Sequence, residues 1–189
     1  MKTNKIVAIA LLSLGMLFST DAVAQKKEKT VEVGGAPMYP SKNIVENAVN
    51  SKDHTTLVAA VKAAGLVEVL MSEGPFTVFA PTNDAFAKLP AGTVETLLKP
   101  ENLSTLQTIL KYHVAAGKWS AADIVAAIKK GNGKYSFKTV SGGTLTAWMK
   151  GKDVYITDEN GNSSKVTIAD VNQKNGVIHV IDTVVLPKS

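Results

Sequence analysis

Phe76-Thr77-Val78-Phe79-Ala80-Pro81-Thr82-Asn83-Asp84-Ala85-Phe86 carries a buried strand straight into a capped helix. Phe76 to Ala80 is apolar and β-rich, and Pro81 has no N–H to give to a ladder, so the strand is expected to end there. Thr82 can accept from the orphan N–H groups of the next turn, while Asn83 and Asp84 place dipolar or negative character at the helix N-terminus. Phe86 and Leu89 follow at helical spacing and point back to a core.

Helical signals dominate on either side of this corner, from Ser41 to Lys130. Ser51 or Asp53 can cap a helix whose Leu57, Val58, Val61 and Ala64 share one face before Gly65 ends it. Leu66 to Met71 adds a short helical turn. Beyond the corner, a short helix is expected around Val94 to Leu98, and a longer one from Glu101 to Tyr112 with Leu103, Leu106 and Leu110 on one side. Ser120 with Asp123 reads as a capping box for Ala121 to Lys129, and Lys129-Lys130-Gly131 as its end.

Past Gly133 the apolar period changes to two. Tyr135 to Val140, Thr144 to Lys150, Asp153 to Thr157, Lys165 to Asp170 and Val177 to Leu186 alternate or run apolar. Ser141-Gly142-Gly143, Lys150-Gly151-Lys152, Asn160-Gly161 and Asn175-Gly176 separate them as turns, which predicts an antiparallel meander. Helices first and hairpins second make the fold class α+β, and the Phe76 strand must join the meander's sheet from far upstream.

The ends read differently. Lys2 and Lys5 precede an apolar run, Ile6 to Phe18, and Ala22-Val23-Ala24 fits a small-x-small cleavage pattern. Residues 1–24 are therefore expected to be a signal peptide, with Gln25 the first mature residue. Residues 25–40 are polar and then Gly- and Pro-bearing, and are expected to form a flexible linker, with Met38 and Tyr39 able to clip onto the domain that spans 41–189. The chain has no cysteine, which removes disulfides, thiolate metal sites and a cysteine nucleophile. The formal net charge is +5, and every basic residue is Lys. Without Arg for bidentate contacts, nucleic acid is not an expected partner; the surplus allows at most a weak attraction to acidic polymers or membrane surfaces.

Three elements together, the Phe76–Phe86 corner, Leu110-Lys111-Tyr112-His113-Val114 and Asn175-Gly176-Val177-Ile178-His179-Val180-Ile181-Asp182, resemble the fasciclin domain family. The resemblance covers about Lys42 to Pro187. It implies a twisted β-wedge or sandwich of about seven mostly antiparallel strands with helices packed alongside. It also implies a non-enzymatic adhesion or binding module outside the cytoplasm, monomeric and without cofactor or metal. An extracellular protein or polysaccharide is the expected partner; the alternative is a carrier of a small apolar ligand such as a pigment or lipid.

Thr82, Asn83, Asp84, Tyr112, His113 and His179 are the fold-marking residues under that resemblance. His113 is expected to bond the Thr82-Asn83-Asp84 turn. Tyr112 and His113, with Asp170 and Val171, fall where animal members of the family meet integrins, although Val171 stands for Ile and no proline leads into the pair. Trp119, Trp148, Tyr135 and Tyr155 are the natural aromatic anchors for a partner if they lie at the surface. His179 sits inside an apolar strand and reads as a satisfied core histidine; His54 beside a helix cap is expected to be exposed.

Catalytic motifs fail on inspection. Asp158, Asn160 and Asn162 match the first ligands of an EF-hand loop, but Ser163 stands where Gly is needed and Ala169 where a bidentate Glu is needed. Gly131-Asn132-Gly133-Lys134 is too short for a phosphate loop, and no serine sits in a nucleophile elbow. The histidines show no metal spacing.

Overall fold

The computed structural model describes residues 28–188. The expected signal peptide and the first residues after it lie outside the described part. The described chain opens with a hairpin, β1 (Val31–Val33) against β2 (Ala36–Met38). Gly34 and Gly35 supply the positive φ values, 59° and 75°, that such a tight turn requires. Val33 and Met38 are buried in the core, so this part of the chain is structured. The expectation of a flexible linker over residues 25–40 is thereby corrected for Val31 to Met38. The Gly-Gly pair that suggested mobility is the turn of a packed hairpin.

Helices α1 (Ile44–Ala48), α2 (Thr55–Ala63) and α3 (Val67–Met71) follow, with a 3₁₀ turn at Lys52–His54 before α2. Next come β3 (Phe76–Pro81), α4 (Asn83–Ala87), α5 (Thr93–Leu97), α6 (Leu103–Tyr112), β4 (Val114–Ala116) and α7 (Ala121–Lys130). The chain finishes with β5 (Lys134–Lys138), β6 (Thr144–Lys150), β7 (Asp153–Thr157), β8 (Ser163–Gln173) and β9 (Gly176–Ile181). The α+β class and the meander agree with the expectation.

Seven strands form one sheet in the order β4-β3-β9-β8-β7-β6-β5. Every neighbouring pair is antiparallel except β3 with β9, which run parallel with Phe79 opposite His179. The sheet curls until its edges nearly meet: Val140 N–H donates to the Val114 carbonyl at 2.8 Å, and Ala115 bridges Thr139. The bend lies in β8, whose register slips twice between Val166 and Val171, so that it pairs with β7 at one end and β9 at the other.

This curl divides the core. Phe79, Tyr112, Phe137, Leu145, Ile156 and Ile181 fill the inside of the curl, where Ile124 and Ile128 of α7 close it. Alternate residues of the same strands, Val78, Ala80, Val171, Ile178 and Val180, face the other way, toward α1–α3 and the N-terminal hairpin. A third cluster joins α2 to α6 through Ala60, Val61, Leu106 and Leu110. β3 and β9 are covered on both faces and buried almost throughout, whereas β5 and β6 have one wet face and alternate.

Candidate functional site

The Pro81-Thr82-Asn83-Asp84 corner caps two helices. Thr82 Oγ1 accepts from Ala85 N–H at 3.2 Å and starts α4. Asn83 reaches across to α2: its Oδ1 accepts from Thr56 N–H at 3.0 Å, and its Nδ2 donates to the Lys52 carbonyl at 2.8 Å. Neither Ser51 nor Asp53 caps α2, and His54 at its N-cap position makes no capping bond, so a residue far along the chain does that work. Asp84 is exposed in the first turn of α4, where the helix dipole favours a negative charge.

Tyr112 and His113 are buried, at 0% and 3% exposure. The Tyr112 hydroxyl donates to the Thr144 carbonyl at 2.7 Å and accepts from Glu159 N–H at 3.2 Å. Burial, with smaller contributions from the charges of Glu159 and Asp158, pushes its pKa up to about 12. His113 Nδ1–H donates to the Ile109 carbonyl at 2.9 Å, which leaves Nε2 to accept from Val185 N–H at 3.3 Å. The expected bond from His113 to the Thr82 turn is not made; the ring locks the end of α6 to the C-terminal segment. Burial pushes its pKa down to about 4, against the opposing pull of the Ile109 carbonyl and Asp158.

His179 is the counterpart inside the curl. It is stacked on Phe79 with ring centroids 5.9 Å apart, Nε2–H donates to the Trp119 carbonyl at 2.8 Å, and Nδ1 takes Asp170 N–H at 3.4 Å. Asp170 sits in the β8 bulge with φ at 57°. Its Oδ1 accepts from Ala121 N–H at 2.7 Å and holds down the start of α7, beside the Ser120–Asp123 capping box. Val171 is 0% exposed. Of the four residues expected to touch a partner, Tyr112, His113 and Val171 therefore present no surface in the folded domain, because each is core. Asp170 is half-buried and occupied with α7.

The EF-hand-like run resolves in the same way. Asp158 Oδ1 accepts from Asn160 N–H and Asn162 N–H, both at 2.9 Å, and Oδ2 from Leu186 N–H at 3.0 Å. Both oxygens are taken up in organising the β7–β8 turn and fixing the C-terminal segment. Among the described residues, no group of three His, Cys, Asp or Glu is placed to hold a metal ion.

Two of the four candidate aromatics face inward, half-buried against the core. Trp119 and Tyr135 pack against the inner cluster, Trp119 with its ring edge-on to Phe137 at 5.4 Å. Trp148 and Tyr155 lie on the other side of the sheet, half-buried and stacked at 4.9 Å. Cross-strand register sets Lys134 opposite Trp148 and Lys165 opposite Tyr155, so one row across β5–β8 reads Lys, Trp, Tyr, Lys. The next row is Ser136, Thr146, Thr157 and Ser163, and Trp148 Nε1–H donates to Thr157 Oγ1 at 2.8 Å.

The helical layer does not close completely over the opposite face. A cleft of about 90 Å³ remains between Val78, Val171 and Ile178 on the sheet and Ala48, Leu57 and Leu70 on the helices. His54 lines it and is buried at 3% exposure, against the expectation that it is exposed. The 3₁₀ turn swings the ring inward, where Nδ1 lies 2.9 Å from Ser51 Oγ. Burial lowers the His54 pKa, opposed by the Ala80 carbonyl and Asp53. The Ser51-to-His54 spacing was the one signal in the sequence for this pair. Asn175, which read only as a hairpin turn, is a second residue the pattern hid. Its side chain donates to the Leu70 and Ser72 carbonyls at 2.8 and 2.9 Å, and accepts from Ile44 N–H at 3.1 Å.

Comparison with known proteins agrees with this geometry. The chain is 47% identical over 191 residues to protein sll1483 of Synechocystis sp., covering 99% of each. It is 40% identical over 131 residues to transforming growth factor-beta-induced protein ig-h3 of Sus scrofa, spanning 69% of this chain and 17% of that longer one. The solved structure of a FAS1 domain pair from the insect cell adhesion molecule Fasciclin I has the same fold, with a TM-score of 0.68 at 18% identity over 85% of this chain and 58% of that one. The fasciclin domain model itself matches residues 52–187, and the protein belongs to the fasciclin domain family.

Proposed function

We propose that this protein is an exported, non-enzymatic binding module that adheres to an extracellular, cell-surface or matrix component, a protein or a polysaccharide. The observation that carries the reading is the outer face of β5–β7. A stacked Trp148–Tyr155 pair stands there between Lys134 and Lys165, beside a row of hydroxyls, on a sheet whose other face is core. Aromatic anchors within a polar surround are the usual centre of a recognition surface; Lys134 adds a positive charge there, while Lys165 is paired with Asp153 at 2.7 Å. The buried, fully bonded state of Tyr112, His113, His179 and Asp158 supports a structural role for them rather than chemistry.

Export to the periplasm, cell surface or medium is proposed on the N-terminal pattern; among the described residues no helix is long and apolar enough to cross a membrane. Retention of the purified chain on the producing organism's own envelope polysaccharide tests the reading. Trp148→Ala with Tyr155→Ala should abolish retention while the thermal melt moves only a few degrees. Equal retention by the double variant would refute it.

A second reading is carriage of a small apolar molecule, favoured by the cleft beneath α1–α3. Organic extraction of natively purified protein tests it: a recovered lipid or pigment supports carriage, and a clean extract counts against it.

A further inference from the structure

We propose that the partner gripped by the outer face of β5–β8 is an anionic polysaccharide. Its sugar rings lie against Trp148 and Tyr155, and its carboxylates or sulfates against Lys134, Lys150 and Lys152. This rests on the adhesion reading and adds the chemical class of the partner.

Charge is spread unevenly along the chain. From Lys118 to Lys152 there are seven lysines and one acid, Asp123, a formal +6; the whole chain carries +5, so everything else together carries −1. The fold gathers most of that surplus at one end of the sheet. Lys129 and Lys130 end α7, and a tight turn, closed by Gly133 N–H to the Ile128 carbonyl at 2.9 Å, delivers Lys134 at the start of β5. Lys134 stands opposite Trp148 of β6. Two residues on, and so on the same face, Lys150 stands opposite Asp153 of β7, with Lys152 in the turn between them. All five of these lysines are exposed. The acids at this end lie on its β7–β8 side: Asp153 bonds Lys165 at 2.7 Å, and Asp182, which accepts from Lys165 N–H, pairs with Lys88 at 3.8 Å. Uncompensated positive charge is left on the β5–β6 side, next to Trp148.

The uncharged groups of the face suit a sugar. In the Trp148–Tyr155 stack each ring covers one face of the other and leaves its opposite face to a ligand. The C–H bonds of a pyranose are attracted to the negative face of such a ring. Trp148 Nε1–H is held by Thr157 Oγ1 at 2.8 Å, which fixes the indole before anything binds. In the adjoining row Ser136 bonds Thr146 at 3.2 Å, and Thr157 bonds Ser163 at 2.7 Å. Each pair spends one hydroxyl proton on itself and keeps another for a sugar oxygen.

Other partners fit this face less well. A folded protein would bury about 800 Å² on each side, around an interface core from which lysine and serine are depleted. A membrane calls for protruding apolar side chains, and the large ones exposed by the described residues all lie off β5–β8.

The test titrates the folded mature chain at low salt with dextran sulfate, polygalacturonate, neutral dextran, polyglutamate and oligo(dT). At least one of the two anionic polysaccharides should bind roughly tenfold tighter than the other three polymers, sulfate and carboxylate being separated by which one does. Added salt should release it. The ¹⁵N indole resonance of Trp148 should shift on binding and that of the inward-facing Trp119 should not. Lys134→Gln with Lys150→Gln and Lys152→Gln should weaken binding roughly tenfold, the combined worth of three exposed charge contacts. Equal affinity for neutral dextran, for polyglutamate or for oligo(dT) overturns the proposal, as does an unmoved Trp148 resonance or a triple variant that binds like the wild type. If neither anionic polysaccharide binds, the partner class falls. Envelope retention that still depends on Trp148 and Tyr155 would then leave adhesion through this face standing, with a protein as partner. Retention indifferent to them would overturn both. The Trp148 resonance is read on the wild type, so the outcome does not depend on a variant folding.

Discussion

Acidification should destabilise this domain well above the range where carboxylates titrate, and His113 supplies the largest quantifiable share. In the fold its Nδ1–H donates to Ile109 and its Nε2 accepts from Val185 N–H, so a second proton would set donor against donor in a buried site. The folded pKa is about 4 against an ordinary 6.5. Between those values the unfolded chain binds more protons, so stability is complete above pH 6.5 and falls as pH drops toward 4. At about 1.4 kcal/mol per unit, this one ring should remove roughly 2 kcal/mol between pH 7 and 4.5, and about 3 kcal/mol by pH 4.

His54 and His179 are also shifted down by burial and act in the same direction. Asp158, Asp170 and Asp53 face the three rings and soften the effect. Asp182, whose carboxyl is held low, adds its own loss only below its ordinary 3.8. Urea unfolding followed by Trp119 and Trp148 fluorescence at pH 7, 6, 5 and 4.5 measures the slope. His113→Asn should be less stable at pH 7 yet lose roughly 2 kcal/mol less on going to pH 4.5. Wild-type stability that stays flat from pH 7 to 4.5, or a variant with the full wild-type slope, would refute the reasoning.

Three further substitutions probe the joints of the fold. Asn83→Ala removes the cap that α2 borrows from the corner and should cost about 1–2 kcal/mol, seen as a melt a few degrees lower with binding unchanged. Gly176→Ala places a Cβ 2.1 Å from the Phe76 carbonyl oxygen in the parallel β3–β9 pair, so the strands must part; a loss of roughly 3 kcal/mol in urea unfolding is expected. Asn175→Ala leaves the Leu70 and Ser72 carbonyls and Ile44 N–H without their partner and should cost roughly 2–4 kcal/mol, with amide exchange rising first at α1 and α3.

Local physics was legible in the chain. Pro81 ends β3, Thr82 caps α4, Ser120 and Asp123 box the start of α7, and the change to period two after Gly133 announces the hairpins, because each depends only on neighbours within a few residues. The Gly34-Gly35 hairpin is not legible locally, because two glycines permit a linker as readily as a turn, and only burial of Val33 and Met38 decides between them. Pairings between distant residues left no mark: Asn83 on α2, His113 on Val185, Asp170 on Ala121, and the parallel β3–β9 register.

By itself, then, the sequence determined an α+β chain of helices followed by hairpins, with a capped corner that marks its family. Tertiary structure decided which polar residues are mortar and which face is free, since burial is a property of what packs against a residue. It turned Tyr112, His113 and Val171 inward, set Trp148 and Tyr155 on the open face, and buried His54.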